Sequence, residues 1–222
     1  MLFIVGSPIG NLNDITLRAL SVLKEVAFVA AEDTRRTSIL LQHFQISKPL
    51  LSFHEHNEAR RTSELIEKMR AGEKVALITD AGMPSISDPG YRIVRACIEN
   101  EIQFEVIPGP SAVLTALVGS GLATDRFYFG GFLPVKSGQR ERELGAALVR
   151  EVTSVYFESP HRIIRSLEVI ASTHPSRAIC VARELTKHFE EYRRGEASSV
   201  LAHFTTHPPK GEITLLIGSS KM

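Results

Sequence analysis

The chain alternates short, wholly apolar runs with longer segments whose apolar residues recur every three or four positions. Leu2–Val5, Val26–Ala31, Val75–Thr79 and Phe104–Ile107 have the first pattern and read as buried strands, with Leu50–Phe53 as a shorter one. Between them lie helix-period segments. The first carries Ile15, Leu17, Leu20, Val22 and Leu23 behind a cap at Asn13 or Asp14. The others are Thr37–Phe44, Ser63–Arg70 closed by Gly72, Tyr91–Asn100 and Ser111–Val118. This alternation predicts a parallel sheet with helices on both faces. In the second half, Phe127–Leu133, Val152–Phe157, Ala178–Ala182 and Ile213–Ile217 read as strands. Arg162–Ala171 reads as a helix, Tyr192–Val200 as a hairpin turning at Gly195, and Lys136–Arg150 as a polar stretch. Strands outnumber helices there, which predicts a mixed sheet. The fold class is α/β in two domains, 1–120 and 121–222, with the boundary in the Gly-containing stretch Gly119–Arg126.

Composition narrows the class of molecule. The 222 residues are 43% hydrophobic and 23% charged, which is ample for a sizeable core and excludes a disordered chain. A net charge of +1 excludes a bulk-electrostatic nucleic-acid binder and leaves local basic patches open. Cys97 and Cys180 are too few for a disulfide framework or a four-cysteine zinc site. They read as buried small hydrophobes in a reducing, cytoplasmic compartment. The start of the chain has no basic stretch before its apolar run, so no signal peptide is expected. The most apolar long stretch, Ser111–Ala123, is broken by Gly119 and Gly121 and is too short to cross a bilayer.

Four loops rich in Gly, Pro and charge follow apolar strands: Gly6–Asn11, Asp33–Arg36, Asp80–Gly90 and Pro108–Ala112. In an open parallel sheet, such carboxyl-end loops form the binding crevice, so the four are expected to lie near one another. Turn punctuation alone accounts for one such loop better than for four. Gly6–Asn11 lacks G-x-G-x-x-G, and no G-x-x-x-x-G-K-[ST] occurs, which disfavours a dinucleotide dehydrogenase and a P-loop NTPase. Pro8 also removes a backbone donor from the first loop. In Asp80–Gly90, Pro84 and Pro89 stiffen the path while Met83 and Ile86 offer apolar contact, a design suited to an adenosine and an amino-acid moiety. Asp88 is placed to cap the helix that Pro89 would begin. Glu158, His161 and Arg162 fall within five residues, either for acid/base and phosphate chemistry or as a helix start capped by Ser159. His54-Glu55-His56 is half a metal site without a third ligand, and reads as a solvated loop; no metal is expected. Arginines number 18 against eight lysines, with pairs at Arg35-Arg36, Arg60-Arg61 and Arg193-Arg194, suited to phosphate or to surface ion pairs.

An ordered set of motifs resembles one family. Ser7-Pro8-Ile9-Gly10-Asn11-Leu12, Ala30-Ala31-Glu32-Asp33-Thr34-Arg35, Asp80-Ala81-Gly82-Met83-Pro84 and Ser87-Asp88-Pro89-Gly90-Tyr91 come first. Pro108-Gly109-Pro110-Ser111-Ala112, Gly131-Phe132-Leu133-Pro134 and Ala182-Arg183-Glu184-Leu185-Thr186-Lys187 follow. Together they resemble the ribosomal RNA small-subunit methyltransferase I proteins, a branch of the tetrapyrrole methylase superfamily. Each motif alone is weak; the series spans essentially the whole chain.

The resemblance implies a two-domain fold, S-adenosylmethionine (SAM) bound in the cleft between the domains, and a homodimer. It also implies 2′-O-methylation of a cytidine ribose in the decoding region of 16S rRNA, on free rRNA or the small ribosomal subunit, with no action on DNA. By position, Pro8, Gly82, Met83, Ile86, Ser111 and Ala112 would contact the cofactor, with Phe157, Glu158, Leu185, Ile213 and Thr214 from the second domain. Asp33, Glu158, Glu184 and His161 are the candidates for taking the hydroxyl proton. Arg35, Arg162 and Lys187 are the candidates for RNA phosphates. Met83 stands where many tetrapyrrole-methylating relatives carry the Asp of a Gly-Asp-Pro, which points away from a porphyrinoid substrate. Many members of the RNA branch continue with a C-terminal helical extension that is missing here. Two other readings stay open: a precorrin-type tetrapyrrole C-methyltransferase, and a non-catalytic SAM- or RNA-binding module.

Overall fold

The computed structural model describes residues 1–221. The chain divides into two compact units, Met1–Ser111 and Ala112 onward.

The first unit is built on five parallel strands: β1 (Leu2–Val5), β2 (Phe28–Ala31), β3 (Leu50–Ser52), β4 (Val75–Ile78) and β5 (Phe104–Ile107), in the order β3-β2-β4-β1-β5. β1, β2 and β4 are buried throughout, which is why they read as unbroken apolar runs. Alternate residues feed two cores. Phe3, Val5, Val29, Ala76 and Ile78 pack with α1 (Leu17–Glu25) and α2 (Thr34–His43). Leu2, Ile4, Phe28, Val75 and Leu77 pack with α3 (Glu58–Arg70) and α4 (Tyr91–Glu99) on the opposite face. The parallel sheet with helices on both faces is thus present. The cap of α1 is Thr16, whose hydroxyl accepts from the Ala19 amide, rather than Asn13 or Asp14, which lie in a preceding single 3₁₀ turn.

The second unit is a mixed sheet of β6 (Phe127–Phe132), β7 (Thr153–Glu158), β8 (Ala178–Arg183), β9 (Glu191–Glu196) and β10 (Ile213–Ile217), in the order β6-β7-β10-β8-β9. β6 and β7 are parallel and the other pairs antiparallel. One face packs α6 (Ser137–Val149), α7 (Ile163–Thr173) and α8 (Ala197–Thr206) through Leu144, Leu148, Ile163, Leu167, Val200 and Phe204. α5 (Ala112–Ser120) lies against the sheet, with the Tyr192 hydroxyl donating to the Thr115 carbonyl at 3.2 Å and the Arg194 guanidinium to the Gly119 carbonyl. These contacts put α5 in the second unit, so the division falls after Ser111 rather than within Gly119–Arg126.

Two expectations are corrected. Tyr192–Val200 is no hairpin: β9 pairs with β8, and the chain enters α8 directly at Ala197. Gly195 has φ +150°, the irregularity that resembles a turn in sequence, while Ala197, Val200 and Phe204 share one helical face. The polar stretch Lys136–Arg150 contains α6, whose buried side is Arg140, Leu144, Ala147 and Leu148. Cys97 and Cys180 are fully buried, as expected, and burial pushes both thiols up to about 11. Among the described residues no helix is long and apolar enough to cross a membrane.

A side chain at Gly119 would place its Cβ 2.3 Å from the Tyr192 ring. Gly119→Ala is expected to destabilise the second unit by about 1–3 kcal/mol through overpacking. Urea unfolding followed by tyrosine fluorescence measures it.

Candidate functional site

The strand order sets β2, β4, β1 and β5 side by side, so the four loaded loops leave the same edge of the sheet in a row. Specific bonds then tie each to the next. The Ser7 amide donates to the Gly82 carbonyl at 2.9 Å and the Gly82 amide to the Ser7 carbonyl at 3.1 Å. The Ser7 hydroxyl donates to the Thr79 carbonyl at 3.0 Å. A Cβ on Gly6 would lie 2.7 Å from both Gly109 Cα and Met83 Sδ, so the first, third and fourth loops meet only because Gly6 and Gly109 have no side chains. On the other side, the Asp33 amide donates to Asp80 Oδ1 and the Asp80 amide to Glu32 Oε2, both at 3.1 Å.

Within this frame Pro8 and Gly82 are buried, Met83 is partly buried, and Ile86 is half-exposed at the tip of the long loop. Ser85 and Ser87 have φ of +72° and +62°, left-handed values that non-glycine residues rarely hold. The amides of Met83 and Ser87 donate to nothing among the described residues. Ser111 closes the first unit and Ala112 opens α5. Free amides, an apolar tip and close backbone approach form a donor set that fits a nucleoside with an amino-acid tail. No phosphate cradle is needed for such a ligand.

The far end of the long loop is held by a residue the sequence did not single out. Glu58 of α3, buried, accepts from the Gly90 amide at 3.0 Å and the Arg92 amide at 3.3 Å. It supplies the cap expected of Asp88, and Gly90, not Pro89, is the residue that precedes α4. Asp88 is instead drawn inward. Burial, then the neighbouring Glu32 and Asp80 carboxylates, push its carboxyl up to about 7.

In the second unit the candidate residues gather at one end of the sheet. Phe157 and Thr214 are register partners, as are Glu158 and Ile213, and Thr214 is also paired with Ala182. Buried Leu185 is the second residue after β8. Glu184 and Thr186 beside it have φ of +49° and +63°.

Each candidate carboxylate is already bound to a candidate RNA-contacting cation. Arg35 donates from Nε and Nη2 to the two oxygens of Asp33 at 3.0 and 2.7 Å. These bonds, with the Arg35 and Arg36 amides, hold the Asp33 carboxyl well below the usual range. Arg162 reaches Glu158 at 2.7 Å, and that carboxylate also accepts from the Ser166 hydroxyl and the Ser159 amide, both at 2.8 Å. Lys187 bridges Glu184 at 2.9 Å and Glu212 at 2.7 Å. The Glu212 amide and then Lys187 lower the Glu184 carboxyl. Against the opposing effect of burial, Glu212 and Glu184 raise the Lys187 ammonium. His161 is exposed and has no such partner; its amide donates to the Ser159 hydroxyl, which makes a turn before α7 instead of capping it. The His54 and His56 rings stand 5.9 Å apart edge to face, and no group of three potential metal ligands occurs among the described residues.

The profile of the family described as Tetrapyrrole (Corrin/Porphyrin) Methylases matches residues 1–201. The chain belongs to the tetrapyrrole methylase family. Curated relatives named Ribosomal RNA small subunit methyltransferase I include a Synechocystis protein, 47% identical over 99% of this chain and 79% of its own. Another, from Thermotoga maritima, is 45% identical over 99% of both chains. Solved structures share the fold at low identity. Diphthine synthase aligns with a TM-score of 0.79 at 13% identity, over 98% of this chain and 89% of that one. Uroporphyrin-III-C-methyltransferase from Thermus thermophilus aligns at 0.69 and 22%, over 98% and 93%.

Two tests address the geometry of this methylase. Arg162→Ala leaves the Glu158 carboxylate, with no exposed side-chain surface, without its cation. It is expected to destabilise the second unit by about 3–5 kcal/mol, measured by chemical denaturation. For Asp88 the folded value, about 7, lies above the unfolded one near 3.9, so its ionisation weakens the fold. The penalty is absent below about pH 4, grows between the two values and is complete above about pH 7. Asp88→Asn should therefore stabilise the protein by roughly 1–2 kcal/mol above neutrality, a gain that disappears in acid. Thermal melts across this range decide it.

Proposed function

We propose that this chain is a SAM-dependent methyltransferase acting on small-subunit ribosomal RNA, and that the acceptor is the 2′-hydroxyl of a cytidine ribose in the decoding region of the 16S rRNA. The observation that carries the reading is the 45% identity with the Thermotoga relative of that name over 99% of both chains. The Gly-Met-Pro at Gly82–Pro84 in place of Gly-Asp-Pro supports RNA over a porphyrinoid substrate. Such a substrate places the enzyme in the cytoplasm, and a homodimer is the proposed assembly.

When bound, SAM supplies an electrophilic methyl group for in-line transfer to the hydroxyl oxygen. The chain's task is then mainly to position two reactants. Pro8, Gly82, Met83, Ile86, Ser111 and Ala112 are proposed as donor contacts. Phe157, Glu158, Leu185, Ile213 and Thr214 are proposed as further donor contacts. Arg35, its side chain 87% exposed, is the most accessible of the proposed phosphate contacts, with Arg162 and Lys187 beside it in role. The hydroxyl proton passes to one of Asp33, Glu158, Glu184 and His161. His161 is favoured, because the three carboxylates are committed to Arg35, Arg162 and Lys187. The Arg35 and Lys187 couples lower the Asp33 and Glu184 carboxyls, which makes those two poorer proton acceptors.

The test uses radiolabelled SAM and small subunits from a strain lacking the modification. Label resistant to alkali at a single cytidine is expected, with none on the matching 2′-deoxy strand. Transfer to the deoxy strand would mean base methylation instead. His161→Ala is expected to lower kcat by about 10²-fold or more with SAM affinity retained. Near-wild-type turnover would move the base to one of the carboxylates.

A further inference from the structure

A group of cations in the second unit, Lys136, Arg142 and Arg165, is used neither by the fold nor by the roles assigned above. It surrounds the connection from β6 to α6. Two arginines make that connection rigid. Arg140, 5% exposed, donates from Nη1 to the carbonyls of Pro134 at 3.3 Å and Val135 at 3.1 Å. Arg162 donates from Nη1 to the Leu133 carbonyl at 3.4 Å. Three consecutive carbonyls are thereby fixed. β6 and β7 are parallel neighbours, each followed by a helix on the same face, so α6 and α7 begin at the same end of the sheet. Neither helix has a side-chain cap. Their first amides therefore present partial positive charge in the same direction. The buried Arg140 Nε at the start of α6 has no hydrogen-bond partner.

Beside these helix starts stand Lys136, Arg142 and Arg165, all exposed. None has a carboxylate partner among the described residues. Several exposed arginines elsewhere do: Arg18 pairs with Glu105, Arg70 with Glu67 and Arg95 with Glu99. The local acids do not offset the group. Glu158 is taken by Arg162, Glu143 by Arg150, and Glu141 and Glu168 remain. Next to the cations Phe132, 62% exposed, leans on Phe157 with ring centroids 5.2 Å apart. Unpaired cations around an exposed aromatic suit a strand whose phosphates need neutralising and whose bases are free to stack.

We propose that the face formed by the starts of α6 and α7, with Lys136, Arg142 and Arg165, docks the phosphate backbone of single-stranded RNA, and that Phe132 offers a stacking surface to one of its bases. The proposal rests on the reading of ribosomal RNA as the substrate and adds where, outside the reacting centre, that RNA is held.

The experiment measures binding of protein-free small-subunit rRNA to the full chain with SAM present, between about 50 and 200 mM salt. Each of Lys136→Gln and Arg165→Gln is expected to weaken binding several-fold and to flatten the slope of log K against log salt by about 0.7, the value for one lost contact on a single strand. The double variant should lose about twice that slope. SAM affinity by calorimetry should not change. Wild-type binding with an unchanged slope in the double variant overturns the surface while leaving the proposed function intact. Weaker binding to assembled subunits but not to naked rRNA also overturns it, since the face would then meet a ribosomal protein. If the wild-type chain binds SAM but no rRNA at all, the proposed function fails and takes this surface with it.

Discussion

The first unit depends on a backbone-to-backbone approach that no side chain could survive. Gly6 and Gly109 stand so close that a Cβ on either would strike the other's main chain. That contact draws the loops after β1 and β5 together, and the paired amides of Ser7 and Gly82 bring in the loop after β4. A parallel sheet guarantees only that these loops leave the same edge. The glycines and the Ser7–Gly82 bridge turn proximity into a fixed surface of backbone groups. Glu58 completes it from α3, anchoring the last residue of the long loop.

The second unit solves a different problem. Its candidate residues come from the ends of β7 and β10 and from the chain after β8, brought to one end of a mixed sheet by register. The charges there are neutralised locally: Arg162 on Glu158, and Lys187 between Glu184 and Glu212. A buried carboxylate tolerates its surroundings only when it is paired and hydrogen-bonded. The geometry of these couples is therefore as much a condition of folding as of chemistry, and it leaves the unpaired cations at the starts of α6 and α7 as the outward-facing charge.

Much of this was legible in the chain. β1, β2 and β4 are fully buried and therefore apolar without a break, and the placement of the four loops follows from their parallel order. What escaped has physical causes. α8 begins on the residue after β9, so no polar spacer marks the change from period two to period three and a half. α6 devotes one of its inward positions to Arg140, and a buried arginine satisfied by carbonyls looks like a surface residue in sequence. α5 is apolar enough to pack on either sheet, and its contacts with β7, β8, β9 and β10, those to Tyr192 and Arg194 among them, assign it. Glu58 lies 32 positions from the amide it holds, a distance over which no local pattern operates. By contrast the couples Asp33–Arg35, Glu158–Arg162 and Glu184–Lys187 are short-range and could have been read from spacing.

The left-handed serines of the long loop carry an evolutionary consequence. Ser85 and Ser87 hold backbone conformations that glycine or asparagine would adopt at lower cost. Selection for heat resistance alone would be expected to relax these positions early, because the change is local and touches no core. Selection that also demands activity would resist it, since a looser loop must be ordered anew each time a ligand arrives. The two serines thus mark a place where durability and turnover pull the same few atoms in opposite directions.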